Sequence, residues 1–255
     1  MRILLTNDDG YQAVGIKKLY DELIKIAEVV MIAPERENSA VGHAITVFEP
    51  IKVFELKEGE KIYGYAVNGT PADCVKLGLV AIYKKKPDLV ISGINAGPNT
   101  GTNIIYSGTV SAATEGTIFG IPSIAISISI RNSLEIKFAA EFTARLAKTI
   151  HKRKLPAGTL LNVNIPALPK EQIKGVKITR QGESKFKEVF LKRIDPLGRT
   201  YYWLDGGEDV YIDKDEDIDA IALKNGFVSI TPITYDLTNY KYMEEIRDLE
   251  GIDLE

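Results

Sequence analysis

The chain has one cysteine, Cys74, and two histidines, His43 and His151. A lone cysteine excludes an internal disulfide framework, and with so few nitrogen and sulfur donors a zinc site can scarcely be built. Positive charge is not in excess either: 32 Lys and Arg against 35 Asp and Glu give a formal charge of -3 and a pI near 5.6. That balance lacks the basic footprint of a polymer-binding surface, so a nucleic acid polymer is not expected as a partner and a nucleotide-sized anion fits better. No apolar run is long enough to span a bilayer, and no membrane partner is expected. Nothing read as a signal peptide precedes the first apolar run, so a cytoplasmic location is expected. Two phosphate-binding signatures are also missing, the Walker loop and Gly-x-Gly-x-x-Gly. The first apolar run leads instead into Asn7-Asp8-Asp9-Gly10, whose carboxylates would repel a pyrophosphate unless a cation intervened.

What is present supports a substantial core. At 255 residues and 45% hydrophobic content the chain can bury roughly three quarters of its unfolded surface. Apolar runs at residues 3–5, 29–33, 88–92, 122–127 and 160–163 read as strands. Helical spacing recurs between them, as in Ile16, Leu19, Tyr20, Leu23 and Ile24. Thr70 and Pro71 form an N-cap and first helical residue for a helix over 71–83. This alternation predicts an α/β fold: a Rossmann-like, mostly parallel sheet flanked by helices in three layers. Residues 44–54 and 61–67 read as antiparallel excursions. We expect a single domain over 1–255, with a projecting hairpin region at about 176–212, a helix over 215–224, and a C-terminal tail over 232–255.

Asp8 and Asp9 stop the first strand where open α/β sheets bind ligands. Adjacent carboxylates repel, and a divalent cation is the common remedy, so the pair is a candidate metal site. A solvated Asp-Gly turn is the alternative. Residues 92–116 are the second chemical segment. Glycines at 93, 97, 101 and 108 let backbone approach a ligand, and Ser107, Gly108 and Thr109 sit where a helix begins, a ready phosphate site. An ordinary capped helix is the competing reading.

At these residues the chain resembles the stationary-phase survival protein E family, SurE, of metal-dependent nucleotidases. The motifs are Thr6-Asn7-Asp8-Asp9-Gly10, Ala33-Pro34-Glu35-Arg36 with Asn38-Ser39, Asn68-Gly69-Thr70-Pro71-Ala72-Asp73-Cys74-Val75, Ser92-Gly93-Ile94-Asn95, Tyr106-Ser107-Gly108-Thr109-Val110, Leu161-Asn162-Val163-Asn164-Ile165-Pro166 and Val228-Ser229-Ile230-Thr231-Pro232. Ala40 and Ser111 depart from it, each standing where the family tends to have Gly. The resemblance implies one divalent cation per subunit, held by Asp8, Asp9, Ser39 and Asn95. All four are oxygen donors of the kind Mg²⁺ or Mn²⁺ prefers. It implies phosphate contacts from Asn7, Gly93, Asn95, Ser107, Gly108 and Thr109, with Asp8, Asp9, Asn95 and Ser107 as the catalytic set.

The expected reaction is hydrolysis of nucleoside 5′-monophosphates, and of 3′-monophosphates and short polyphosphate, by metal-activated water. A non-catalytic nucleotide-binding protein and a phosphatase using an aspartyl-phosphate are the alternatives. A homodimer or homotetramer is expected, with the hairpin and tail as contact elements. His43 is read as a surface or packing residue and Cys74 as a small core residue.

Overall fold

The computed structural model describes residues 1–253 other than 84, 130–132, 211 and 213. The expected hairpin region and tail include 211, 254 and 255, which lie outside the described residues. The three-layer architecture is as expected. Strand β1 (Arg2–Thr6) is central, and Ile3, Leu4 and Leu5 are fully buried on both its faces, as an all-apolar run in a covered parallel sheet requires. Helix α1 (Val14–Leu23) crosses to β2 (Glu28–Pro34), which pairs parallel with β1. After β3 (Val53–Glu58) and β4 (Lys61–Val67), α2 (Pro71–Leu77) returns the chain to β5 (Leu89–Ala96) on the other side of β1. The chain therefore reverses its direction of winding between β1 and β5. The crevice at their carboxyl ends is the topological switch point, where ligands bind in such sheets.

Helix α3 (Gly108–Ile118), β6 (Ser123–Ile128), α4 (Ser133–Arg153) and β7 (Thr159–Ile165) continue the parallel winding. Then β8 (Val176–Ile178) and β11 (Val228–Thr234) close the sheet in the order β3-β4-β2-β1-β5-β6-β7-β11-β8. Here β11 runs antiparallel to β7, and β8 runs parallel to β11. Helices α1 and α4 pack together over one face, α2 and α3 over the other. Gly15 permits the tightest of these contacts, since a Cβ there would lie 2.1 Å from the Ile94 carbonyl oxygen. Cys74 is fully buried in the core beneath α2.

Several expectations are corrected. Residues 61–67 join the main sheet parallel to β2 while pairing antiparallel with β3; Gly64 stands opposite Met31, where a Cβ would lie 2.5 Å from its carbonyl oxygen. Residues 44–52 form no strand. The helix from Pro71 is α-helical only to Leu77 and widens to a π-turn over Gly78–Ile82. The helix expected over 215–224 is α5 (Asp219–Lys224) alone. The hairpin is β9 (Lys185–Ile194) with β10 (Thr200–Val210); residues 176–178 belong to the main sheet instead. Residues 232–234 likewise finish β11, and the tail beyond carries α6 (Tyr240–Glu245) and a 3₁₀ turn over Arg247–Gly251.

Candidate metal and phosphate site

Four segments meet at the carboxyl edge of β1 and β5. Asp8 is buried and points at the first turn of α3. The Thr109 N–H donates to its Oδ2 at 3.1 Å, and the Thr109 hydroxyl donates to Oδ1. Gly108 makes that approach possible, since a Cβ there would lie 2.8 Å from Asp8 Cβ and 3.0 Å from Oδ2. Asp9 turns the other way and accepts the Ala96 N–H at 3.3 Å, just past Asn95. On the remaining side the Asp8 carbonyl accepts the Asn38 N–H at 2.7 Å. This bond brings the backbone of the Ser39 loop to β1.

The charge balance of this cluster is unfavourable without a cation. Burial pushes the Asp8 carboxyl up despite the hydrogen bonds from Thr109, and Glu37 adds to the rise. Burial, and then the Asp8 charge, push Asp9 up to about 6. Among the described residues no Lys or Arg pairs with either carboxylate. Asn7 donates Nδ2 to the Gly10 carbonyl at 2.9 Å, while its Oδ1 is buried with no partner among the described residues. Asn95 donates Nδ2 to the Gly97 carbonyl at 2.7 Å, which leaves Oδ1 as the end of the amide able to accept. These features fit a hard divalent cation. No three His, Cys, Asp or Glu side chains gather among the described residues, so a cation held here would draw on two carboxylates plus neutral oxygens, the arrangement in which Mg²⁺ keeps several waters.

The remaining positions are as follows. Ser39 is exposed and its Oγ donates to Glu37 Oε1 at 2.7 Å, so its lone pairs, not its proton, are what it can offer. Ser107 is the N-cap of α3: its Oγ accepts the Val110 N–H at 3.1 Å, leaving its hydroxyl proton to donate. Gly93 is buried at φ +137, and a Cβ there would lie 2.4 Å from the Ile126 carbonyl oxygen. It sits in a bulge where Ser92 pairs with Ala125 but Asn95 pairs with Ser127. The extra residue on β5 sets the direction in which Asn95 leaves the sheet. His43 pairs through Nε2 with Glu115 Oε2 at 2.8 Å, and Glu115 also holds Lys76 at 2.7 Å. Burial alone would raise the Glu115 carboxyl, but His43 and Lys76 hold it below its ordinary value.

Sequence reasoning missed Glu37, which acts electrostatically on both aspartates. An acid two residues before Ser39 was its one visible signal. It also missed the buried anchors of the loop over 97–107, taken up below.

With this geometry established, comparisons with known proteins bear on it directly. A family model described as Survival protein SurE matches residues 3–188. A protein named 5′-nucleotidase SurE from Moorella thermoacetica is 52% identical over 247 residues, covering 96% of this chain and 95% of its own length. One of the same name from Syntrophus aciditrophicus is 49% identical over 249 residues, covering 98% and 94%. A crystal structure of SurE protein from Aquifex aeolicus superposes with a TM-score of 0.85 at 47% identity, over 98% of this chain and all of that one.

Proposed function

The chain belongs to the survival protein SurE family, and from that premise we propose that it is a metal-dependent phosphomonoesterase, a 5′-nucleotidase, acting on nucleoside monophosphates. The observation that carries the reading is the junction of Asp8 with the first turn of α3. There the Asp8 carboxylate, which we assign to the cation, is hydrogen-bonded to the helix N-terminus that we assign to phosphate. Asp8, Asp9, Ser39 and Asn95 would hold one Mg²⁺ or Mn²⁺. Such a cation supplies charge neutralisation for a phosphoryl group and lowers the pKa of a water it binds.

The chain's own groups do the remainder. The Ser107 hydroxyl and the Gly108 N–H would hold non-bridging oxygens, Thr109 would act through the Asp8 carboxylate that its N–H and hydroxyl already engage, and Asn7 and Asn95 would orient the group from the sheet edge. Thr109 fixes the Asp8 carboxylate so that it does not swing toward the phosphorus, which favours water over an aspartyl-phosphate route. The same site would accept 3′-monophosphates and the terminus of a short polyphosphate.

A homodimer or homotetramer is part of the proposal. Phe190, Ile194, Tyr202, Trp203 and Leu204 on the hairpin and Leu237 in the tail are exposed apolar side chains, more than a lone subunit ordinarily leaves in water.

The test is metal reconstitution. After EDTA treatment, adding Mg²⁺ or Mn²⁺ should restore phosphate release from AMP, with Zn²⁺ less effective. Asp8→Asn or Asp9→Asn should abolish turnover while the far-UV spectrum stays unchanged. Metal-dependent AMP binding without phosphate release would favour the non-catalytic reading. A radiolabelled phosphoenzyme would favour the covalent one.

A further inference from the structure

Between Asn95 and Ser107 the chain runs through a loop whose peptide groups are held by side chains from distant parts of the sequence. Asn99 is fixed first. Its N–H donates to Asn164 Oδ1 at 2.7 Å, its Nδ2 donates to Ser127 Oγ at 2.8 Å, and its carbonyl accepts Asn162 Nδ2 at 2.8 Å and Asn164 Nδ2 at 3.0 Å. Those partners stand on β6 and β7.

The second anchor is Gly101. Its N–H donates to Asp219 Oδ2 at 2.9 Å, and its carbonyl accepts Gln181 Nε2 at 2.9 Å. The next amide, Thr102 N–H, donates to the Ser184 carbonyl at 3.1 Å. Gly101 has φ +56, and a Cβ there would lie 2.2 Å from Ser184 O; loop and hairpin root touch backbone to backbone. From Gly101 the chain continues as a 3₁₀ turn over Gly101–Ile105, and Ser107 follows as the N-cap of α3. A shift at Gly101 is therefore passed along a short hydrogen-bonded segment to Ser107 and Gly108.

Asp219 organises this joint. It is fully buried, and besides Gly101 it accepts the Gly182 N–H at 3.2 Å and the Ala220 N–H at 2.8 Å. A carboxylate can accept from all three amides. An asparagine cannot: with its oxygen turned to Gly182 and Ala220, its NH₂ would face the Gly101 N–H, donor against donor.

We infer that Asp219 is a positioning residue for the phosphate-binding turn, acting through Gly101 with Gln181 as its partner, so that the root of the hairpin sets the geometry of Ser107 and Gly108. This rests on the phosphate reading of that turn given above, and it assigns the second half of the chain a part in substrate binding. Of the proposed cation ligands only Asp8 meets the end of this segment, at Gly108 and Thr109, so cation binding should respond far less than phosphate binding.

The experiment compares Asp219→Asn and Gln181→Ala with the wild type, measuring Mn²⁺ affinity and inorganic phosphate affinity in the presence of Mn²⁺ by calorimetry, and kcat and KM for AMP. Phosphate affinity and kcat/KM should fall about tenfold in Asp219→Asn and about threefold in Gln181→Ala. Mn²⁺ affinity should stay within about twofold of wild type in both. Gln181 is exposed, so its variant keeps the fold even where Asp219→Asn does not. Wild-type phosphate affinity in both variants would overturn the inference, as would loss of Mn²⁺ binding in step with phosphate. If the wild type binds phosphate but does not hydrolyse AMP, the nucleotidase reading fails, and phosphate affinity alone still decides the role of Asp219.

Discussion

Two loops reach the switch point of the sheet, and they are held in opposite ways. The loop over 97–107 is pinned along its length by buried Asn162, Asn164 and Asp219. The loop over 35–46 is exposed at its tip, where Ser39 stands, and among the described residues its bonds to the rest of the fold lie on either side of that tip. Asn38 bonds Asp8 at the near end. At the far end the Gly42 N–H donates to the Tyr106 carbonyl, His43 pairs with Glu115, and Thr46 donates to Asp73. The division suits the two tasks proposed for them. A phosphoryl group needs fixed donors in one geometry, whereas a hard cation that keeps several waters tolerates a ligand on a yielding loop. It also means that the two loops should respond differently to substitution.

The largest effect should come from breaking the rigid side where it touches Asp8. In Gly108→Ala the added methyl would sit 2.8 Å from Asp8 Cβ and 3.1 Å from Pro71 Cγ, and neither neighbour is the free end of a flexible chain. Either the α3 turn or Asp8 must shift, by enough to misplace the phosphate donors relative to the cation. Misplacement of about 1 Å costs on the order of a hundredfold in rate. Turnover of AMP should therefore drop at least that far, with a helical spectrum close to wild type. Retention of more than a tenth of the wild-type kcat would mean that the contact between α3 and Asp8 is not what orders the site.

The rigid loop was legible only in part. The residues flanking it that we propose bear the function, Asn95 and Ser107 to Thr109, announce themselves by residue type and by position at a strand end and a helix start. Its anchors do not, because they are 65 residues away at Asn164 and 118 residues away at Asp219. No local periodicity encodes such pairings. The central strands were readable because a run like Ile3-Leu4-Leu5 has one physical explanation, burial on both faces. Residues 61–67 carried no such mark: Gly64 and partial exposure look alike in an antiparallel edge strand and a parallel one. The start of the hairpin was obscured similarly, since 176–178 and 185–194 are both extended and differ only in their partners.

A middle-sized effect should separate the two aspartates from both loops. In the cation-free protein the Asp9 carboxyl is raised from 3.8 to about 6. The folded state thus keeps a proton that the unfolded chain has released over this interval, and stability falls as pH rises from about 4 to about 6. Asp9 is partly open to solvent, so screening reduces the loss to about 1 kcal/mol. Denaturant unfolding of EDTA-treated protein at pH 4 and pH 7 should show a larger loss in the wild type than in Asp9→Asn, where only Asp8 is still raised by burial. Excess Mn²⁺ should abolish the difference at pH 7. Parallel pH profiles for the two proteins would show that the Asp9 charge carries no cost in the folded state.

The smallest effect belongs to the yielding loop. Ala40 adopts φ +57, a left-handed conformation that costs an L-residue roughly 1 kcal/mol and glycine almost nothing. Ala40→Gly removes that strain but enlarges the conformational freedom of the unfolded chain by a similar amount, about 0.5 to 1 kcal/mol. The two nearly cancel, so the melting temperature should move by no more than about 3 °C. What changes is the folded loop itself: glycine lets the segment beside Ser39 explore more conformations, so more order must be imposed when Ser39 meets a cation. The Mn²⁺ concentration for half-maximal activity should rise about twofold, with KM for AMP unchanged because the loop over 97–107 is untouched. A rise in KM at constant metal requirement would reverse the division of labour drawn between the two loops.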